Sequence, residues 1–380
     1  MDNFIADFYR IFVDNIVCMI KGDYEQGRVD LNDLGNLALL SIDRRSITPS
    51  LKNTMKLTMA EKRCIRRFYK PYVRYITTRY HRYYTSRNGH FSPYYIPEDL
   101  YLMWIDRYFC GRTEAKYLDN KCYYYRLLSN IKLPEAVVMR IGDSFLDGNL
   151  RPVTELEAAE LVGAEDEVVV KRAVNSEGGY GVEFMAGSKL EARFSDIMGN
   201  IPCDVVIQKP IRQHKDLAAL HPESVNTMRI VSLKTGDKVK VYKVCLKIGV
   251  GKERIDNGCH GGIYCGVRSD GTLRDYGVLD NGKVLHRHPD LGYAFGDKKV
   301  PHLGRAVKLV KEAHSFMGHF RLVAWDVSID EHGEAVLVEA NLTLGGINDV
   351  QLCSGPLFGK DTKKILDEVF KDNRKAITLL

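Results

Sequence analysis

No run of apolar residues in this sequence approaches the length of about eighteen that a membrane-spanning helix needs. The opening stretch MDNFIADFYRIFVDNIVCMIKGDYE carries acids among its apolar residues, so neither a signal peptide nor a transmembrane anchor is expected there. No Cys-x-x-Cys pair occurs either. The nine cysteines, an odd number, sit mostly inside apolar runs, as Cys18, Cys64, Cys245 and Cys353 do, which is how reduced thiols in a cytosolic core are placed. Internal repeats and low-complexity linkers are also missing. These absences set aside a membrane span and a disulfide framework, and the expected compartment is the cytoplasm.

One absence is local. From Arg63 to Arg87 the run RCIRRFYKPYVRYITTRYHRYYTSR contains no acidic residue, and arginines alternate with tyrosines. The net charge of +6 is mild for 380 residues, and much of it lies here. Such a run suits an anionic surface, which leaves room for a weak contact with the inner face of a membrane or with a charged glycan. Equally, it suits solvated helix faces whose long side chains cover apolar surface. Nucleic acid is not the expected partner.

What is present is ample apolar material: 45% of the residues are hydrophobic, enough for one large core or two to three smaller ones. Up to about Tyr108 the apolar residues recur at three- and four-residue spacing, as in DNFIADFYRIFVDNIVCMI and LNDLGNLALLSIDRR, which predicts helices. Pro97-Glu98-Asp99 suits the first turn of another helix. The texture then changes to short β-rich runs between turn signals: AVVMRIG, EVVVKRA, GVEFMAG, DVVIQKP, TMRIVSLKTGDKVKVYKVCLKIG and FRLVAWDVSIDEHGEAVLVEAN. Thr235-Gly236-Asp237 and Asp330-Glu331-His332-Gly333 read as hairpin turns, and 303–316 and 363–370 as helices. The expected organisation is a helical region over 1–112 followed by an α+β region over 113–380.

Two motifs carry chemistry. In EVVVKRAVNSEGGYGVEF an apolar strand ends in Lys171, and Ser176, Glu177, Gly178, Gly179, Tyr180 and Gly181 form a flexible loop into the next strand. Glycines let backbone N–H groups approach a phosphate closely, and the lysine adds a point charge. This is no Walker loop, because no Gly-Lys-Ser/Thr follows; nor is it a Rossmann turn, because a strand follows rather than a helix. In LVAWDVSIDEHGEAVLVEANLTLGG, Asp326 lies on one strand of a hairpin, and Glu339 and Asn341 lie two apart on the other, hence on one face. Two carboxylates and an amide among apolar neighbours call for a cation, and Mg²⁺ favours such oxygen donors together with nucleotide phosphates. Solvent-facing strand ends are the plain alternative. Cys259, His260, Cys265, His286 and His288 match no common zinc spacing, and their glycine-rich segment reads as a loop.

Taken in this order, the two motifs resemble the ATP-grasp superfamily, in which two α+β lobes grip ATP. The resemblance covers about 115–360 and implies a small lobe at about 156–212 and a large lobe at about 213–380. It implies Lys121 as a first phosphate lysine, although the pattern's Asp-Lys is Asn-Lys here, and Lys171 as the second. Gln208, Lys209 and Ile211 would surround the base, with lysine at 209 where an acid is more usual. HPESVNTMRIVSLK, VYKVCLKIG and IDNGCHGGIY resemble the superfamily's amino-acid ligases. That likeness implies Arg229 at the γ-phosphate, Lys243 or Lys247 near phosphate or acyl phosphate, and Asp256, Asn257, Gly261 and Gly262 as a substrate-side loop. Arg254, Arg268, His286, Arg287 and His288 are the cations available to receive a substrate carboxylate. YIPEDLY, NTMRI, DNGCHGGI, HRHPD and WDVSIDEHGEAVLVEAN are similar to the sugar-transfer-associated ATP-grasp proteins of polysaccharide gene clusters.

The resemblance implies an ATP- and Mg²⁺-dependent carboxylate–amine ligase. It would form an acyl phosphate and pass it to an amine or a sugar-linked acceptor. No convincing nucleophilic Cys or Ser motif is present, and this route needs none. An ATP-dependent phosphotransferase acting on a hydroxyl would use the same grip. A nucleotide-binding module without catalysis is the third reading.

Overall fold

The computed structural model describes residues 51, 54–174, 179, 181–343, 345–371 and 376–377. The two amphipathic stretches expected before residue 51 lie outside the described residues, as do Ser176, Glu177, Gly178 and Tyr180. The chain divides into two units, one of 1–108, 281–283 and 346–380, the other of 109–280 and 284–345.

In the first unit the basic run separates by side-chain type. Helix α1 (Met59–Tyr69) opens with a reciprocal cap, in which Thr58 accepts from the Glu61 N–H and Glu61 accepts from the Thr58 N–H. A short strand β1 (Val73–Tyr75) and helix α2 (Arg79–Asn88) follow. Tyr69, Tyr72, Tyr80, Tyr83 and Tyr84 turn inward, whereas Arg63, Arg66, Arg67, Arg74 and Arg79 are exposed. Tyrosine buries a large ring while its hydroxyl still needs an acceptor. Tyr69 donates to the Tyr95 carbonyl (2.7 Å) and Tyr84 to Asn348 Oδ1 (2.5 Å). Arg82 and Arg87 are only partly exposed, and Arg82 donates to the carbonyls of Leu51, Thr54 and Met55. Pro97 is the cap of a short helical turn, Glu98–Leu100, that runs on into a π-helix, Tyr101–Ile105.

The second unit holds two antiparallel sheets. The first has the order β4-β3-β2-β7-β5-β6, from β2 (Ala136–Ile141), β3 (Ser144–Asp147), β4 (Pro152–Val153), β5 (Glu167–Arg172), β6 (Val182–Ala186) and β7 (Val205–Gln208). Alternation decides its faces. Val168, Val170, Val205 and Ile207 pack with Ala158, Val162, Leu190, Phe194 and Met198, residues of the helices that follow β4 and β6. Val169, Lys171, Val206 and Gln208 are therefore left for the opposite face. There Val206, Met139 and Ala136 pack on Cys122 of helix α3 (Lys121–Leu127).

The second sheet has seven strands in the order β12-β11-β10-β9-β8-β13-β14. These are β8 (Met228–Thr235), β9 (Lys238–Ile248), β10 (Ile263–Val267), β11 (Leu273–Leu279), β12 (Val284–Leu285), β13 (Leu322–Ile329) and β14 (Ala335–Asn341). The hairpin turns expected at 235–237 and 330–333 are present, with Gly236 and Gly333 at positive φ (56° and 77°), where a glycine is unstrained. Helix α4 (Leu303–Phe316) belongs to the same unit, and its His314 shares the Ser232 hydroxyl with the indole of Trp325. The segment around Cys259 to His288, expected as a loop, instead contains β10, β11 and β12. Its glycines and charges hide the period of two, and pairing with β9 supplies the missing partner.

Candidate active site

In the second unit a cavity of about 120 Å³ is lined by residues of both sheets and of α3. Lys171 comes from the end of β5, Gln208 from the end of β7, Lys247 from β9, Asp326 from β13, Glu339 from β14 and Lys121 from the first turn of α3. A larger cavity of about 640 Å³ adjoins it, sharing Lys209 and Ile211 in its lining.

The charges form a row fixed by strand register. Asp326 stands opposite Arg229 on β8 and opposite Glu339 on β14. Arg229 grips the Asp326 carboxylate through both Nε and Nη2 (2.9 Å each), and Lys247 Nζ reaches Oδ2 at 2.9 Å. Burial alone would raise the Asp326 carboxyl, but the adjoining guanidinium and ammonium hold it well below the usual carboxylate range. Lys121 Nζ pairs with Glu339 at 2.7 Å. Asn341 donates through Nδ2 to the Ala324 carbonyl (3.1 Å) and to Asp326 Oδ2 (3.4 Å). Lys171 is lowered to about 8, first by burial and then by the charge of Lys121, against the pull of Glu339 and Asp256. Lys121, Lys171 and Lys247 thus meet Asp326 and Glu339 at one cavity wall, while Arg229 and Asn341 hold Asp326 from outside the lining.

The remaining expected residues divide. Gly179, at φ 82°, packs so closely on Ile255 that a Cβ would lie 2.8 Å from its side chain. Gly181 also has positive φ, at 74°. Lys209 and Ile211 line the cavity, and the Lys209 ammonium is held by Glu135 (2.7 Å) and Glu165 (3.1 Å). Asp256 and Asn257 reach the lining too; Asp256 Oδ2 accepts from both the N–H and the hydroxyl of Thr227 (2.8 and 2.6 Å). Burial raises the Asp256 carboxyl despite Lys247 nearby. Gly261 and Gly262 serve the turn itself, since a Cβ on Gly262 would stand 2.1 Å from the Asp256 carbonyl oxygen. Lys243 sits opposite Val231 in the β8–β9 register and is not in the lining.

Arg268 is not in the lining, and its guanidinium donates to the Leu273 carbonyl. His286 and Arg287 are likewise outside the lining, as is His288, which donates through Nε2 to the Gly249 carbonyl (2.9 Å) and accepts at Nδ1 from the N–H groups of Asp290 and Leu291 (3.3 Å each). Of the cations considered for a substrate carboxylate, only Arg254 lines the cavity. It is clamped by Glu167 in a two-point ion pair (2.5 and 2.8 Å) and stacks on Phe184 at 3.8 Å. Among the described residues, no three His, Cys, Asp or Glu side chains converge as a metal cluster.

The model of the sugar-transfer associated ATP-grasp family matches residues 104–366. The chain belongs to that family. No curated protein matches it in sequence. Among solved structures it is similar to an L-amino acid ligase from Bacillus licheniformis, at 16% identity over 67% of this chain and 48% of that one, with a TM-score of 0.37. It is similar also to D-alanyl-alanine synthetase A from Vibrio cholerae, at 13% identity over 70% and 67%, with a TM-score of 0.39. A third is the VanG D-Ala:D-Ser ligase from Enterococcus faecalis, at 11% identity over 70% and 64%, with a TM-score of 0.40. The chain spans about half the length of the first of these.

The α+β fold of this ATP-grasp protein and its cofactors, ATP and Mg²⁺, follow from the family. The donor set fits them. Asp326, Glu339 and Asn341 offer hard oxygen ligands of the kind Mg²⁺ takes, and the cations now paired with the two carboxylates are the groups that phosphate oxygens attract.

Three side chains of the site escaped the sequence reading. Thr227 lies within NTMRI but has no charge to mark it. Phe184 lies two residues beyond Val182 on β6, hence on the same face. Tyr125 stands one helical turn after Lys121, and that i, i+4 spacing was the available signal.

Proposed function

We propose that this ATP-grasp protein is a carboxylate–amine ligase that works through an acyl phosphate, joining an amino acid or another carboxylate to an amine or sugar-linked acceptor in polysaccharide biosynthesis. The observation that carries the reading is the crossed set of ion pairs at the cavity wall: Lys121 with Glu339, and Arg229 and Lys247 with Asp326. Phosphate oxygens would draw the three cations, and Lys171 with them, while Asp326, Glu339 and Asn341 would be released to hold Mg²⁺. Bound there, Mg²⁺ supplies charge neutralisation on the phosphate oxygens. Arg229 and Lys247 would steady the negative charge of the transferring group, and preorganised charge of this kind carries most of the rate in such transfers. Gly179, which lines the cavity, would let the backbone approach the phosphates closely. Thr227, by holding Asp256, would keep the 256–262 loop beside Lys247 where the acid and its acceptor meet.

A screen of amino acids and amino sugars tests this. ADP and inorganic phosphate should appear together, and only when an acid and an acceptor are both supplied. Phosphate retained on the product would identify a phosphotransferase instead, and no ADP with any pair would leave only a binding module.

The exposed Arg66, Arg67 and Arg74, with Met59 and Tyr75 each 61% exposed beside them, support a weak contact with an anionic membrane surface. No helix among the described residues is long and apolar enough to cross a membrane. Changing the three arginines to Gln should reduce sedimentation with anionic vesicles several-fold. Wild-type binding should itself fall with salt, since screening shortens exposed charges' reach to about 10 Å at 0.1 M. A wild-type chain that never sediments would make these arginines ordinary solvated surface. Arg82 is left out of the set because its guanidinium is committed to three carbonyls.

A further inference from the structure

Helix α3 carries Lys121 and, one turn later on the same face, Tyr125. The Tyr125 hydroxyl makes two short contacts. It donates to the Pro134 carbonyl at 2.7 Å, and it lies 2.6 Å from Gln208 Nε2. A carbonyl can only accept, so the phenol's single proton is committed to Pro134. The phenol oxygen then has only lone pairs to offer Gln208, and the amide must meet it with Nε2–H. Burial raises the phenol above its ordinary value, so it keeps that proton across the working range. Tyr125 packs against the cluster of Cys122, Ala136, Met139 and Val206, whose one side-chain donor, the Cys122 thiol, is directed at the Val205 carbonyl (3.4 Å).

One consequence falls on the other end of the amide. With Nε2 held by the phenol, Oε1 is turned away from it. Gln208 lines the cavity and is 4% exposed, and its Oε1 is buried with no hydrogen-bond partner among the described residues. A buried acceptor fixed in that state favours a ligand that brings an N–H donor and disfavours one that brings a second acceptor.

We propose that Tyr125 is a positioning residue for nucleobase selection: by locking the Gln208 amide, it makes the cavity accept a purine with an amino group on its edge and turn away a 6-oxopurine. The inference rests on Gln208 facing the base, and it names a residue outside the nucleotide contacts that does the selecting. Free to rotate, a glutamine amide serves either base, because its two ends exchange donor for acceptor. Pinned, it serves one.

ATP and ITP are the probes, since they differ at that edge of the base alone. Calorimetric titration of each with Mg²⁺ should give a wild-type preference for ATP of about tenfold or more. Tyr125→Phe should bring the ratio towards one, loosening ATP and tightening ITP. Adding Gln208→Glu to that variant should restore the preference, because a carboxylate presents an acceptor whichever way it rotates; a tyrosine needed only for packing would show no such rescue. Should Tyr125→Phe lose its cooperative thermal transition, Gln208→Met, which removes the acceptor and keeps the volume, is expected to abolish the preference instead. An unchanged ATP:ITP ratio in a folded Tyr125→Phe or Gln208→Met variant overturns the proposal. Equal wild-type affinities for the two nucleotides would show that Gln208 does not face the base. Neither result bears on ligase activity, which the ADP and phosphate measurements decide separately.

Discussion

Glu339→Gln is expected to abolish Mg²⁺-dependent ATP turnover while leaving the fold intact. The amide keeps the volume and removes the charge that a hard cation needs, so the phosphates would be poorly neutralised. The loss should be on the order of a thousandfold, as for removal of a principal electrostatic contact in a transferring site. The fold should survive because Glu339 is partly exposed and its partner Lys121 can turn to solvent, where ion pairs count for little. Asp326→Asn should abolish turnover as well, but it is the less clean experiment. Its side chain is 4% exposed and balances both Arg229 and Lys247. Removing one member of such a buried set costs on the order of 3–5 kcal/mol, so the melting temperature should fall with the activity. Full Mg²⁺-dependent turnover by Glu339→Gln would place the metal away from this hairpin.

Lys171→Met should remove most nucleotide affinity at pH 7, by about a hundredfold, without unfolding the protein. The lysine lies at the end of a strand whose other lining residue, Val169, is apolar, so a methionine stem can occupy the same space. The charge that disappears is one the protein holds at some cost, since burial and the neighbouring Lys121 lower the ammonium to about 8. That value sets the sign of the pH dependence. Below pH 8 the ammonium is charged and ready for phosphate. As pH rises through 8, the free protein loses the proton and binding must take one up, so affinity should fall by up to about tenfold per pH unit. Calorimetry in buffers of different ionisation enthalpy should detect that uptake in the wild type and not in Lys171→Met. Unchanged ATP binding by the variant would remove Lys171 from the nucleotide contacts. The fold itself should respond oppositely, because the unfolded chain keeps this proton to a higher pH than the native one. Stability should therefore rise between about pH 8 and the ordinary lysine value, and replacing Lys171 should not lower it.

The basic run shows how far local pattern reaches. Twenty-five residues without an acid were open to two readings, an anionic partner or a solvated face. The structure separates the two residue types rather than choosing, with every tyrosine of the run but Tyr75 inward and most arginines outward. Alternation in sequence cannot reveal that sorting, because the inward face of α2 is defined by Tyr95 and Asn348, which arrive from elsewhere in the chain.

The strands of the six β-rich runs, the two hairpin turns and the shared face of Glu339 and Asn341 were determined by the sequence alone, because they depend on a period of two and on glycine at positive φ, both local properties, whereas β10, β11 and β12 needed the pairing with β9. The pairing of Asp326 with Glu339 follows from the same hairpin. Other relations are tertiary. Lys121 meets Glu339 across 218 positions, Arg254 meets Glu167 across 87, and Gln208 meets Tyr125 across 83. Residue types announce that a lysine wants an anion and a buried amide wants a partner, but many partners of each kind exist along the chain. Which one is met depends on which sheet faces which, and that is decided by how the apolar faces of two sheets and a short helix pack. The same packing left Arg268 outside the lining although its chemistry suited the site, and brought in Thr227 and Phe184, whose chemistry had not marked them.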